Sequence, residues 1–182
     1  MKRAHLAHIL RAASQIAHDP DVVVIGSQSI LGSFDEDDLP DPVIGSVEAD
    51  VTFWDDPDDR KSDAVDGAIG EDSPFHQMNG YYAQGVSVST AVLPEGWRER
   101  VVVWESRSSE PERAHCLEAH DLAVAKLVAA RMKDYEFVSA LIEVGLVSCD
   151  TLRERAALLP PPGSRTTRVL RWIDGHDRRA QA

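Results

Sequence analysis

The chain has little that could cross-link it or hold a structural metal. Its 182 residues include only two cysteines, Cys116 and Cys149, with no C-x-x-C pair, which excludes a disulfide framework and a Cys/His cluster and suits a reducing compartment. Seven histidines are present, yet none forms an H-x-x-x-H pair. His5 and His8 read as a polar helix face, which argues against a zinc hydrolase. There is no run of 18 apolar residues, and the opening "MKRAHLAHILRAASQIAHDP" carries His and Arg through its apolar part. It is therefore neither a signal peptide nor a membrane span, and the expected location is the cytoplasm. Positive charge is also scarce: 19 Lys and Arg against 31 Asp and Glu give a net charge of −12. The average field repels nucleic acid, so any RNA contact needs a local basic patch. The aspartates between positions 55 and 66 lack the alternation and distal glutamate of a calcium loop and read as solvating charge.

What is present is an ordinary core, with 43% hydrophobic residues. Leu6, Ile9, Leu10, Ala13, Ile16 and Ala17 fall at helical spacing, and Asp19-Pro20 stops that helix before a strand, Val22 to Ile25. The strand breaks at Gly26-Ser27 into a short apolar helix. The acidic "DEDDLPDPVIG" after it reads as an irregular loop. "SVEADVTFW" alternates as a strand, placing Val47, Ala49, Val51 and Phe53 on one face and Glu48, Asp50 and Thr52 on the other. "DDPDDRK" reads as a turn before a helix. "GYYAQGVSVSTAVLPEGW" and "RERVVVWES" read as a hairpin closed by Pro94-Glu95-Gly96. From residue 116 onward the periodicity is helical, interrupted by Gly145 and the prolines at 160–162. The order predicts an α+β fold: a core over residues 1–115 with a helical C-terminal region over 116–182 packed on it.

The order of three features points to chemistry. A Gly-Ser turn ends a core strand, a Glu-x-Asp pair lies on the next strand, and a lysine, Lys126, lies in a later helix. Adjacent carboxylates on a rigid strand are a compact way to hold the divalent ion of phosphoryl or nucleotidyl transfer. The amides and hydroxyl of a strand-to-helix turn suit phosphate oxygens. This combination resembles the DNA polymerase β-like nucleotidyltransferase superfamily, a mixed sheet flanked by helices, through Gly26, Ser27, Glu48 and Asp50. The stretch "CLEAHDLAVAKLVAARMKDYEFVSALIEVGLV" is similar to the helical segment of a bacterial branch of it, toxins of the MenT and AbiEii kind, through His120, Asp121, Lys126, Arg131, Lys133, Asp134 and Phe137.

The resemblance implies that Gly26, Ser27, Lys126 and Lys133 bind a nucleoside triphosphate, that Glu48 and Asp50 hold Mg²⁺, and that Glu48, Asp50, Lys126 and Asp134 carry catalysis. Asp134 would orient Lys126 or the acceptor. On one continuous helix Lys133 shares the face of Lys126 and Arg131 points away; a break near Met132 changes that. Asp121 and His120 also have a purely local explanation, at the N-terminus of a helix. Two departures from the superfamily stand out. The acidic loop at 35–46 lengthens the spacer before Glu48, as a lid or as an inert insertion. The third strand carboxylate that many members carry is missing from "GVSVSTAV", with Glu105 as the substitute to consider. Arg165, Arg168 and Arg171 form a basic ridge suited either to RNA or to pairing within the acidic protein, and Trp97, Trp104 and Trp172 read as packing aromatics.

The activity expected from the resemblance is transfer of a nucleoside monophosphate to the 3′ end of tRNA, blocking aminoacylation, by the toxin of a pair whose partner is an antitoxin protein. A hydroxyl on a protein or small molecule is the alternative acceptor. A binding module on a degenerate scaffold is the alternative class.

Overall fold

The structure, a computed structural model, describes residues 1–105 and 113–180. Helix α1 (Arg3–Ala17) leads into strand β1 (Asp21–Val24). A 3₁₀ helix, Ser27–Gly32, then precedes the short α2 (Asp41–Ile44) and β2 (Glu48–Phe53). Helices α3 (Arg60–Ile69) and α4 (Pro74–Asn79) lead to β3 (Tyr82–Gly85), followed by β4 (Val102–Trp104) and β5 (Arg113–Cys116). Helices α5 (Ala119–Ala129), α6 (Met132–Glu143), α7 (Cys149–Ala157) and α8 (Gly163–Ala180) complete the chain.

The five strands form one mixed sheet in the order β3-β2-β1-β5-β4. β1 is antiparallel to β2 and parallel to β5, and β2 is parallel to β3. Val22, Val23 and Val24 are fully buried in the sheet's centre, as an uninterrupted β-branched run requires. The expected alternation holds in the middle of the stretch, where Ala49, Val51 and Phe53 enter the core while Glu48 and Asp50 stay partly accessible, and fails towards its ends: Val47 is exposed and Thr52 is buried. Core residues come from both halves of the chain, from Leu6 to Ile173. The expected boundary after residue 115 falls inside β5.

Three expectations are corrected. The hairpin does not form, because β3 and β4 lie on opposite edges of the sheet. β4 pairs instead with β5, antiparallel, with Val103 opposite His115; the end of the stretch read as its second strand, from residue 106, lies outside the described residues. The β5 strand was masked in the sequence by the helical pattern that follows it directly. The acidic loop is also not irregular throughout: it contains a 3₁₀ turn, Glu36–Asp38, and α2, anchored by buried Leu39 and Val43. Finally, the long helical stretch breaks. Ala130 adopts φ 59°, its amide donates to the Lys126 carbonyl, and α6 restarts at Met132.

Candidate active site

β2 carries the first two components. Glu48 lies in register with Tyr82 on β3, and Asp50 with Gln84, so all four side chains project from one face of the strand pair. The Tyr82 hydroxyl donates to Glu48 Oε2 at 3.2 Å. Burial and the neighbouring Glu48 push the Asp50 carboxyl up to about 6. Burial, then the Glu48 charge, pushes the Tyr82 phenol up to about 12, so it remains a donor.

The turn after β1 supplies the next component. A Cβ added to Gly26 would stand 1.5 Å from Asp50 Oδ2; what the glycine makes room for at its own Cα is this carboxylate. The helix that follows is a 3₁₀ helix, Ser27–Gly32. Ser27 Oγ accepts a hydrogen bond from Lys126 Nζ at 2.8 Å, tying β1's turn to α5.

Lys126 is almost fully buried. Its ammonium also reaches Asp134 Oδ1 at 3.4 Å and lies 4.4 Å from the Phe137 ring centroid. Burial lowers its pKa, opposed by Asp134. Burial alone would raise the Asp134 carboxyl; hydrogen bonds from Arg131 and the charges of Lys126 and Arg131 hold it below the usual carboxylate range. Arg131 Nε donates to Asp134 Oδ2 at 2.7 Å and its Nη2 to Oδ1 at 3.2 Å. The backbone amide of Arg131 also donates to that carboxylate, at 3.2 Å, closing the first turn of α6.

The break at Ala130 thus changes the expected geometry. Arg131 faces the centre instead of pointing away, and Lys133 reaches it from α6 rather than from a shared face with Lys126. Two cavities meet here. Ser27, Glu48, Asp50, Lys126 and Arg131 line both. The first, about 460 Å³, is otherwise walled mainly by apolar groups, including Ala91, Val92, Leu122 and Ala125, with Gln84 and Thr90 as its uncharged polar side chains. The second, about 350 Å³, adds Lys133, Phe137 and the α2 segment from Pro42 to Ser46. The acidic insertion therefore forms a wall of the second cavity.

Other residues singled out in the sequence lie elsewhere. Glu105 follows β4 on the far edge of the sheet, 3.7 Å from Arg113, and lines neither cavity. The α5 cap is Glu118, whose carboxylate accepts from the amides of His120 and Asp121. His120 instead takes the Ser148 amide on Nε2 at 3.1 Å. Asp121 is wholly buried against Arg100, at 2.8 and 3.1 Å, and Arg155, at 3.4 Å. Its role is to fasten three segments together, not to cap one. Arg165 donates to the carbonyls of Pro160 and Pro161, and Arg168 to that of Val128 at the end of α5. Arg171 lines a separate surface recess with Asp174 and Arg178. The basic ridge is thus partly used within the chain. Tyr82, Gln84 and Arg131 are the site members that sequence reasoning did not assign; the i, i+2 spacing of Tyr82 and Gln84, matching Glu48-x-Asp50, is a signal only once strand pairing is known.

A carboxylate pair on one face of β2 is faced by lysine and arginine beside a glycine-serine turn, and the mixed sheet that carries it is compatible with a nucleotidyltransferase-like fold. A family model described as a nucleotidyltransferase of unknown function (DUF6036) matches residues 4–160, and the chain belongs to that family. No curated protein and no solved structure matches it.

Proposed function

We propose that the chain is a Mg²⁺-dependent nucleotidyltransferase that moves a nucleoside monophosphate from an NTP to an acceptor hydroxyl and releases pyrophosphate. The observation that carries this reading is the single centre at which Glu48 and Asp50 meet Ser27, Lys126 and Arg131. The donor set fits magnesium. Burial and the facing Glu48 carboxylate together push Asp50 up to about 6, and Mg²⁺ commonly takes one or two carboxylates with the rest of its shell from substrate phosphates and water. Glu48 and Asp50, which share one face of β2 and line both cavities, would hold it. When bound, the ion would neutralise phosphate charge and make the acceptor hydroxyl more acidic.

The chain's own residues divide the remaining work. Lys126, Arg131 and Lys133 all line the second cavity, which suits the polyphosphate. Ser27 hydrogen-bonds the Lys126 ammonium and presents its hydroxyl at the junction, where it would meet a phosphate oxygen. Asp134 fixes both Lys126 and Arg131. The apolar part of the first cavity, around Val92, Leu122 and Ala125, suits a nucleoside-sized uncharged group. As the acceptor oxygen bonds to the α-phosphorus, the bond to pyrophosphate breaks, and preorganised cations stabilise the charge on the leaving group.

For the acceptor, the resemblance to MenT-type toxins favours the 3′ end of tRNA, with blocked aminoacylation as the toxic outcome and an antitoxin as the natural partner. Arg171 and Arg178, which line a surface recess on α8 beside Asp174, are the arginines offered in support of it. A hydroxyl on a small molecule or protein is the second reading, favoured by the net charge of −12 and by the apolar part of the first cavity's wall. Incubation with Mg²⁺, each α-labelled NTP and total tRNA tests both. Label on tRNA that vanishes with Asp50→Ala supports the first; label on protein or small acceptor alone supports the second. No Mg²⁺-dependent labelling or NTP binding of any kind would sink the enzyme reading in favour of a degenerate scaffold.

A further inference from the structure

We propose that Tyr82 is a positioning residue of this site, holding the Glu48 carboxylate in the orientation from which it shares a divalent cation with Asp50. The inference rests on the reading of that pair as magnesium ligands. A glutamate side chain has three rotatable bonds, and Arg131, although held mainly by Asp134, lines the same cavities as Glu48 and offers its carboxylate an alternative partner. Something has to keep Glu48 beside Asp50 in the absence of substrate.

Tyr82 is built to do so. Its Cα is fixed opposite that of Glu48 by the parallel β2–β3 ladder, and its side chain is nearly buried. Its ring lies 4.6 Å from the His76 ring, and His76 is itself held by the Asp72 amide on Nδ1 at 3.1 Å. The hydroxyl then meets Glu48 Oε2 at 3.2 Å, while Ser46 Oγ bonds the Glu48 backbone on both its amide and its carbonyl side at 3.2 Å. Main chain and carboxylate are clamped separately. A phenol suits this role better than a lysine or arginine, because it orients one oxygen without neutralising the charge that a cation needs. Partners of metal-binding carboxylates that act in this way typically change metal affinity or activity by about 10- to 100-fold when removed.

The test is Mn²⁺ binding, followed by electron paramagnetic resonance on the full chain, for the unaltered protein, Tyr82→Phe, Glu48→Gln and the double variant. Tyr82→Phe is expected to weaken Mn²⁺ about tenfold and to raise by a similar factor the Mg²⁺ concentration giving half-maximal transfer, with the KM for NTP at saturating Mg²⁺ unchanged. In the Glu48→Gln background the same change should have no further effect, whereas a packing role would cost the same in both. Equal Mn²⁺ affinity in Tyr82→Phe, or equal losses in the two backgrounds, overturns the proposal. Absence of Mn²⁺ binding in the unaltered protein overturns the magnesium reading first and this inference with it, so the two failures are told apart. If Tyr82→Phe does not fold, fluorotyrosine labelling of the unaltered chain serves instead. Its three tyrosines are assigned with Tyr81→Phe and Tyr135→Phe; a Mg²⁺-dependent shift of the Tyr82 resonance is expected, and a resonance indifferent to Mg²⁺ overturns the inference.

Discussion

Two buried carboxylates near opposite ends of α5 are built alike and serve differently. Asp121 sits between Arg100 and Arg155, and Asp134 between Lys126 and Arg131; both acids have 0% side-chain exposure. The cations around Asp121 line neither central cavity, and burial raises that carboxyl despite them. Around Asp134 the cations line both cavities, Arg131 remains 61% exposed, and its hydrogen bonds, with the Lys126 charge, outweigh burial. A buried ion cluster is therefore not by itself a sign of function. What separates the two is whether the cations have a free side, and what that side faces. Those of Asp134 face Glu48 and Asp50.

The largest expected effect lies at the acids themselves. Gly26→Ala, which drives a methyl into the Asp50 carboxylate, should lower transfer about a thousandfold, as should Asp50→Ala. A Gly26→Ala protein keeping a tenth of the rate would show that the carboxylate is not needed where it stands.

The comparison itself is broken or sharpened by truncating each buried acid. Asp121→Ala leaves two largely buried guanidinium groups unpaired and should cost about 3 kcal/mol in chemical denaturation, while the folded fraction keeps its turnover. Asp134→Ala should cost less, about 2 kcal/mol, because the nearly buried Lys126 loses its counter-charge and keeps Ser27 as its hydrogen-bond partner, while Arg131 regains water. Its turnover should nevertheless fall about a hundredfold. The reverse order in either measurement would mean that the roles have been exchanged.

A smaller effect follows from Asp50. Its carboxyl releases a proton near 3.8 when unfolded and at about 6 when folded. Between those values the folded state binds more protons, so stability falls as pH rises through that window, and the cost is full above it. Discounted for the open cavity, that cost is about 1 kcal/mol. Asp50→Asn should therefore melt higher than the parent at about pH 7 and match it at about pH 3. A parent melting temperature that does not fall across the window, relative to Asp50→Asn, would remove the charge crowding from the account. The smallest effect concerns Ala130. Ala130→Gly relieves a left-handed alanine and should add about 0.5 kcal/mol, with unchanged transfer.

The sequence was most legible where one element carried the signal. Alternation in "SVEADVTFW" placed Glu48 and Asp50 on one face, and the spacing through α1 and the Gly26-Ser27 break held to within a residue or two. Legibility failed where two distant segments had to meet. Tyr82 and Gln84 acquire meaning only from the β2–β3 register, a non-local choice that local pattern does not encode. The hairpin expectation failed for the same reason: proximity in sequence competed with pairing to β5 and lost. Arg131 was misplaced because helical periodicity carries a helix through Ala130, and alanine, the best helix former, gives no warning of a left-handed stop.

That stop has a consequence for length. Each residue of a helix turns it by about 100°, so one residue added to or removed from the bend at 130–131 would rotate Lys133, Asp134 and Phe137 away from their partners while leaving α5 and the sheet acids untouched. At Ala130 a change of side chain is tolerable and a change of count is not. Length, more than composition, is what keeps the two helices addressing the same point.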